Sequence, residues 1–130
     1  MDNNNEEIRL LDIQIVTTII YIGSLVLSIY LTYNDKLTLM NQKGIFTKKQ
    51  MINYSVFNRT LVVVLTSIYL YISYENNKIA KENDRNVSAT GLQLTASELS
   101  FISTIIVLYV VIKTAGEEYS IISGAGNPNL

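Results

Sequence analysis

Residues Ile13 to Tyr33 form a run of 21 without a single charged side chain, and no other feature of the chain narrows its fold as much. As a helix this run is about 32 Å long, close to the hydrocarbon thickness of a bilayer. A helix in a water-soluble bundle carries an apolar stripe and a charged opposite face. This one has no charged face, and the rest of a 130-residue chain is too short to bury it on all sides. Two shorter uncharged runs follow, Thr60–Tyr74 and Leu99–Ile112. The expected fold class is therefore all-α, with three transmembrane helices and a second helix long enough to extend beyond the bilayer.

Boundaries follow from local chemistry. Residues 1–12 form an acidic amino-terminal tail with four carboxylates and one basic residue, Arg9. An acidic start, a run too long for a signal-peptide core and no small-x-small cleavage site after it all argue for a retained anchor. Asn41-Gln42-Lys43-Gly44 is a turn signal. Thr47-Lys48-Lys49-Gln50 has the Thr-x-x-Gln form of a capping box, which predicts a helix from Lys48 through the second span to about Asn83. A break is expected over Asn83-Asp84-Arg85-Asn86. Residues 13–115 make a single helical membrane domain with spans over about 13–33, 55–74 and 92–113, and residues 116–130 are read as a flexible tail. Tyr30 and Tyr33 at one span end, and Tyr69, Tyr71 and Tyr74 at another, suit an interfacial aromatic belt.

Charge gives a direction. Lys36, Lys43, Lys48, Lys49, Arg59 and Lys113 fall on one side, and Arg9, Lys78, Lys81 and Arg85 on the other. The excess of basic residues assigns the loop between the first two spans to the cytoplasm, which puts the amino terminus outside and the carboxyl terminus inside a bacterial cytoplasmic membrane.

Composition removes most catalytic chemistry. The chain has neither Cys nor His, so thiolates, disulfides and the commonest metal and acid–base groups are missing. Glu117 and Glu118 are adjacent and diverge on a helix, and no serine lies in a nucleophile elbow. A net charge of −1 recruits neither nucleic acid nor an anionic surface. No catalytic, cofactor-binding or metal-binding residue and no small-molecule substrate is expected; the chain is read as a non-enzyme.

What the spans offer is polar stripes. Gln14, Thr17, Tyr21, Ser24 and Ser28 share a helical face in the first span, bordered by Thr18 and Thr32. Ala96, Ser100, Ser103 and Thr104 make a small-residue surface on the third. Arg59, Thr66 and Ser73 recur every seven residues on the second. Small and hydroxyl side chains let helices approach closely and hydrogen-bond in lipid, so these stripes read as helix-packing faces. Two ionisable residues near membrane depth, Arg59 and Glu98, are candidate functional positions. Counting residues from the intervening loop leaves them about 12 Å apart in depth, too far for a salt bridge.

The segments Arg9-Leu10-Leu11-Asp12-Ile13-Gln14, Leu31-Thr32-Tyr33-Asn34-Asp35, Val56-Phe57-Asn58-Arg59 and Ile106–Ile112 resemble those of small multi-pass membrane proteins of low-GC Gram-positive bacteria. The resemblance implies a membrane location and carries no activity, cofactor or site residue. The expected partners are the lipid bilayer and either further copies of the chain or a larger membrane protein. The expected role is a subunit, assembly factor or regulator acting through helix–helix contacts. The alternatives are an oligomeric, holin-like pore-former and an immunity protein against a membrane-active peptide.

Overall fold

The computed structural model describes residues 2–123, with side chains described over residues 4–115. Three α-helices follow one another, α1 (Asp2–Leu39), α2 (Lys48–Glu82) and α3 (Val87–Ser123), and there is no strand among the described residues. At 38, 35 and 37 residues they are about 57, 52 and 55 Å long, well beyond a hydrocarbon core of about 30 Å. All three are long and apolar enough to cross a membrane.

The helix ends are set by identifiable side chains. α2 begins on a complete capping box: the Gln50 amide donates to the Thr47 hydroxyl, and the Gln50 side chain accepts from the Thr47 amide. α1 closes in a Schellman motif, in which Asn41 takes a left-handed φ of 57° while the Gln42 and Asn41 amides donate to the carbonyls of Leu37 and Thr38. α2 ends the same way at Asp84 (φ 54°), with the Arg85 amide on the Ala80 carbonyl. Asn86 then caps α3 by accepting from the Ala89 amide, so the second connection is only Asn83–Asn86.

Two expectations about the tails change. The acidic residues after Met1 continue α1 rather than preceding it, because nothing between Asp2 and Asp12 breaks a helix and Glu6 pairs with Arg9 one turn on. At the other end α3 runs on to Ser123, past the expected limit of the helical domain, since the first prolyl residue comes only at Pro128. The remainder of the expected flexible tail, residues 124–130, lies outside the described residues.

α2 is the central helix. α1 packs on one of its faces and α3 on another, while α1 and α3 do not pack against each other. Both seams repeat every seven residues, the period of helices that cross at a shallow angle and supercoil. On α1 the buried residues Leu10, Thr17, Ser24 and Leu31 are seven apart, as are Asn58, Leu65, Ile72 and Ile79 on α2. On α3 the part-buried positions Val87, Thr90, Leu94, Ser97, Phe101, Thr104, Leu108, Val111 and Ala115 alternate steps of three and four. The outward faces are apolar: Ile15, Ile19, Ile22 and Ile29 on α1 and Leu99, Ile102, Ile106 and Tyr109 on α3 are each 53–66 % exposed. Water would penalise a surface of this kind and lipid does not, so the fold is that of a small multi-pass membrane protein.

Candidate functional site

Because α1 and α3 sit on different faces of α2 without touching, they leave a cleft floored by α2. Gln14 and Tyr21 of α1, Thr66, Ser73 and Asn76 of α2, and Gln93, Ala96, Ser97 and Ser100 of α3 line it, around a cavity of about 430 Å³. A shallower continuation runs along Tyr21, Val62, Thr66, Ser100, Ser103 and Thr104. Hydroxyl and amide groups are set in the cleft wall among the apolar side chains of Val62, Ile72, Ala96 and Leu99, and neither part holds a charged residue. The side chains of Gln14, Tyr21, Asn76, Gln93, Ser100 and Ser103 have no hydrogen-bond partner among the described residues, while Thr66 and Ser73 are already bonded to α3.

The stripe predicted on α1 therefore divides between two surfaces. Thr17 and Ser24 are buried and Ser28 is part-buried against α2, whereas Gln14 and Tyr21 turn into the cleft. On α3, Thr104 lies in the seam with α2, where its hydroxyl is 2.9 Å from that of Thr66. Ala96, Ser100 and Ser103 are exposed along the cleft instead. Thr18, at the edge of the α1 stripe, meets the Tyr69 hydroxyl at 2.7 Å.

The centre of the α1–α2 seam was not legible in the sequence. Asn58 is almost wholly buried; its carbonyl accepts from Ser24 at 2.7 Å and its amide donates to Ser28 at 2.8 Å. Ser24 stands near the middle of the uncharged run of α1, so this cluster lies deep in the bundle. Two more asparagines do the same work at the ends. Asn34 accepts from the Phe46 amide at 2.9 Å, and Asn77 accepts from Thr90 at 2.9 Å. Gly44 passes so close to Asn34 that an added Cβ would lie 2.6 Å from Asn34 Oδ1, which is why the turn needs glycine there. The signal that would have found Asn58 is its seven-residue spacing from Leu65, Ile72 and Ile79.

Hydrogen bonds between helices fix the relative depth of the charges. Thr66 faces Thr104 and Ser73 faces Ser97 at 2.6 Å, so Arg59 is level with about Val111 and Glu98 with about Ile72. The two lie about 20 Å apart along the bundle, more than the loop-based figure, because α2 and α3 mesh around Arg85 rather than Asn83. They form no ion pair. Arg59, next to Asn58, is level with the middle of the uncharged run of α1, in the half of the bundle whose end holds Lys36, Lys43, Lys48 and Lys49. Glu98 lies at the other end, level with Arg9.

At that second end, beyond the first span, α1 is fastened by charge. Arg9 donates to Glu6 (Nη2–Oε1 2.5 Å) and to the Tyr71 hydroxyl at 2.9 Å, and Arg85 pairs with Glu7. The hydrogen bond from Arg9 holds the Glu6 carboxyl below its ordinary range and raises the Arg9 guanidinium further above its own. No group of three or more Asp and Glu side chains is placed to hold a metal ion among the described residues. Compared with protein-family models, curated proteins and solved structures, the chain matches none.

Proposed function

We propose that this is a non-enzymatic membrane protein that acts by helix–helix association, as a subunit, assembly factor or regulator, and that the polar cleft is its association surface. One observation carries the reading. Four amide and hydroxyl side chains level with the spans, Gln14, Tyr21, Ser100 and Ser103, face the cleft without a hydrogen-bond partner among the described residues, while the outward faces of α1 and α3 are apolar. At membrane depth such groups need hydrogen bonds that lipid tails cannot supply.

The occupant we favour is a second copy of the chain, cleft to cleft. Hydroxyls and carboxamides both donate and accept, so the same wall is complementary to itself across a twofold axis. The absence of charge from the cleft removes the repulsion that like surfaces would otherwise feel. The basic end of the bundle supports an orientation with the α1–α2 loop in the cytoplasm, the amino terminus outside and the carboxyl terminus inside. A pore-forming role draws on the same cleft, which a ring of copies would turn toward a shared lumen.

The naturally Cys-free chain allows a direct test. Ser100→Cys, on the cleft, should give a disulfide-linked dimer in native membranes, and Ile106→Cys, on the outward face, should not. An adduct from Ser100→Cys with a larger protein would replace the self-association reading with that of a subunit. No adduct from either position, or equal adducts from both, would remove the cleft as the association surface. Dye leakage from vesicles accompanying the Ser100→Cys dimer would favour the pore.

A further inference from the structure

The hairpin between α1 and α2 carries four lysines, Lys36, Lys43, Lys48 and Lys49, against one acid, Asp35, although the whole chain has a net charge of −1. We infer that this hairpin binds the phosphates of anionic phospholipids and concentrates those lipids around its end of the bundle. The inference does not depend on the association reading.

The fold gathers charges that are scattered along the sequence. Asn34, buried at the end of the α1–α2 seam, accepts from the Phe46 amide at 2.9 Å and closes the turn. Lys36 and Lys48 each lie two residues beyond this bond, Lys49 follows, and Lys43 falls in the turn itself. All four side chains are exposed, and none has an ion pair or side-chain hydrogen bond among the described residues. The first turn of α2 holds no acid to offset Lys48 and Lys49. Asp35 does not offset them either: it lines a cavity of about 250 Å³ with Met51, Ser55 and Thr114, and forms no ion pair among the described residues. Four basic residues directly beside a span are enough to attract anionic lipid, at about fivefold in affinity for each residue near the surface.

Depth and apolar neighbours favour a lipid over an acidic protein. Lys36 lies about 5 Å and Leu39 about 9 Å past Tyr33, the last residue of the uncharged run, which is the depth of the headgroup layer. Lys36 also continues the outward row Ile15, Ile22 and Ile29 at seven-residue spacing, so it stands on the lipid-facing side of α1. Leu39, Met40 and Ile45 of the same hairpin are 85, 51 and 51 % exposed. Water penalises such side chains. At a membrane surface they enter the acyl boundary while lysines reach the phosphates. An acidic protein would have to displace lipid from this depth to reach Lys36. A zwitterionic headgroup carries an ammonium that the lysines repel, so the preference is for lipids of net negative charge.

The chain has no tryptophan, so Leu39→Trp places a single fluorophore in the hairpin. The full-length variant is reconstituted in vesicles of equal phosphatidylethanolamine and phosphatidylglycerol, with bromine near the top of the acyl chains of one lipid or the other. Bromine quenches tryptophan only at short range, so the two samples report which lipid lies beside position 39. Phosphatidylglycerol should be in several-fold local excess. The excess should fall to parity when all four lysines are changed to Gln, persist when all four are changed to Arg, and shrink in about 0.5 M salt. Tyr74→Trp, at the opposite end of the bundle, should show no such excess. Equal quenching by both lipids at position 39, an excess that survives the four Gln substitutions, or the same excess at position 74 would overturn the inference. Absence of quenching by either lipid would overturn it as well, because the hairpin would then stand clear of the membrane.

Discussion

The two seams on α2 use opposite solutions to the same problem. Against α1, α2 buries a row of large or polar residues, Asn58, Leu65, Ile72 and Ile79, and the seam turns on one carboxamide bonded to two serines. Leu10, Ile72 and Ile79 form a small apolar cluster at one end of it. Against α3, α2 is joined by single hydroxyl pairs, Thr66 with Thr104 and Ser73 with Ser97, then Thr90 with Asn77 near the turn. None of the described α3 side chains is fully buried. A hydroxyl in a helix can fall back on its own backbone, and both threonines of the first pair do so: Thr66 bonds the Val63 carbonyl and Thr104 that of Phe101. The Asn58 carboxamide has no such local substitute. One seam therefore centres on a carboxamide with no local substitute, beside the Thr18–Tyr69 contact, and the other rests mostly on hydroxyls that can fall back on their own helix, with Asn77 as its one carboxamide.

The largest expected effect follows directly. Asn58→Leu keeps the branching at Cγ and removes both hydrogen bonds, leaving Ser24 and Ser28 to turn back on their own helix. It should destabilise the bundle by about 1–3 kcal/mol. Reversible unfolding in mixed micelles would measure it. A loss no larger than the ~0.6 kcal/mol average for hydrogen bonds between membrane helices would erase the contrast between the seams.

The same contrast explains what could be read without coordinates. The three helices, the capping box at Thr47 and the break near Asn83 were legible because charge and turn chemistry mark them locally. The facing of the stripes was not. In water an apolar residue points inward, and its period reveals the buried face. In lipid Ile15 and Ile106 can point outward at no cost, so apolar residues surround the helix and the period carries little information. Small polar residues mark contact surfaces but not which surface. Gln14 and Ser24 share a stripe in sequence, yet one faces the cleft and the other Asn58. On α3 the chosen set, Ala96, Ser100 and Ser103, borders the cleft, while the seam follows Thr90, Ser97 and Thr104 one position away. Only the strict seven-residue spacing on all three helices separates these alternatives, and it emerges when the helices are compared with one another.

A smaller effect is expected at the α2–α3 seam. In a double-mutant cycle, Thr66→Val and Thr104→Val should show a coupling of about 0.6 kcal/mol, since each hydroxyl retains its bond to its own helix. Unfolding of the two single variants and the double variant in the same micelles gives the value. A coupling near the Asn58→Leu loss would mean that the hydroxyl pairs are as indispensable as the carboxamide.

The smallest effect lies outside both seams, where Glu6 and Arg9 fasten the start of α1 to Tyr71. The hydrogen bond from Arg9, partly opposed by desolvation and helped by the charge of Arg9, holds the Glu6 carboxyl below its ordinary range. A carboxyl lowered on folding contributes stability that is present above its unfolded value and lost as pH falls through its folded one. The window is therefore acidic, from about that ordinary value downward, and stability near neutral pH should be flat with respect to this group. Because the pair is exposed, water and salt weaken it, and raising ionic strength should shrink the effect further. Carboxyl resonances followed by NMR during an acid titration would place the Glu6 midpoint below the ordinary value, and Arg9→Gln should return it there. An unchanged midpoint in Arg9→Gln would mean that Arg9 is held by Tyr71 alone, and that α1 is anchored to α2 at this end by the neutral contact rather than by charge.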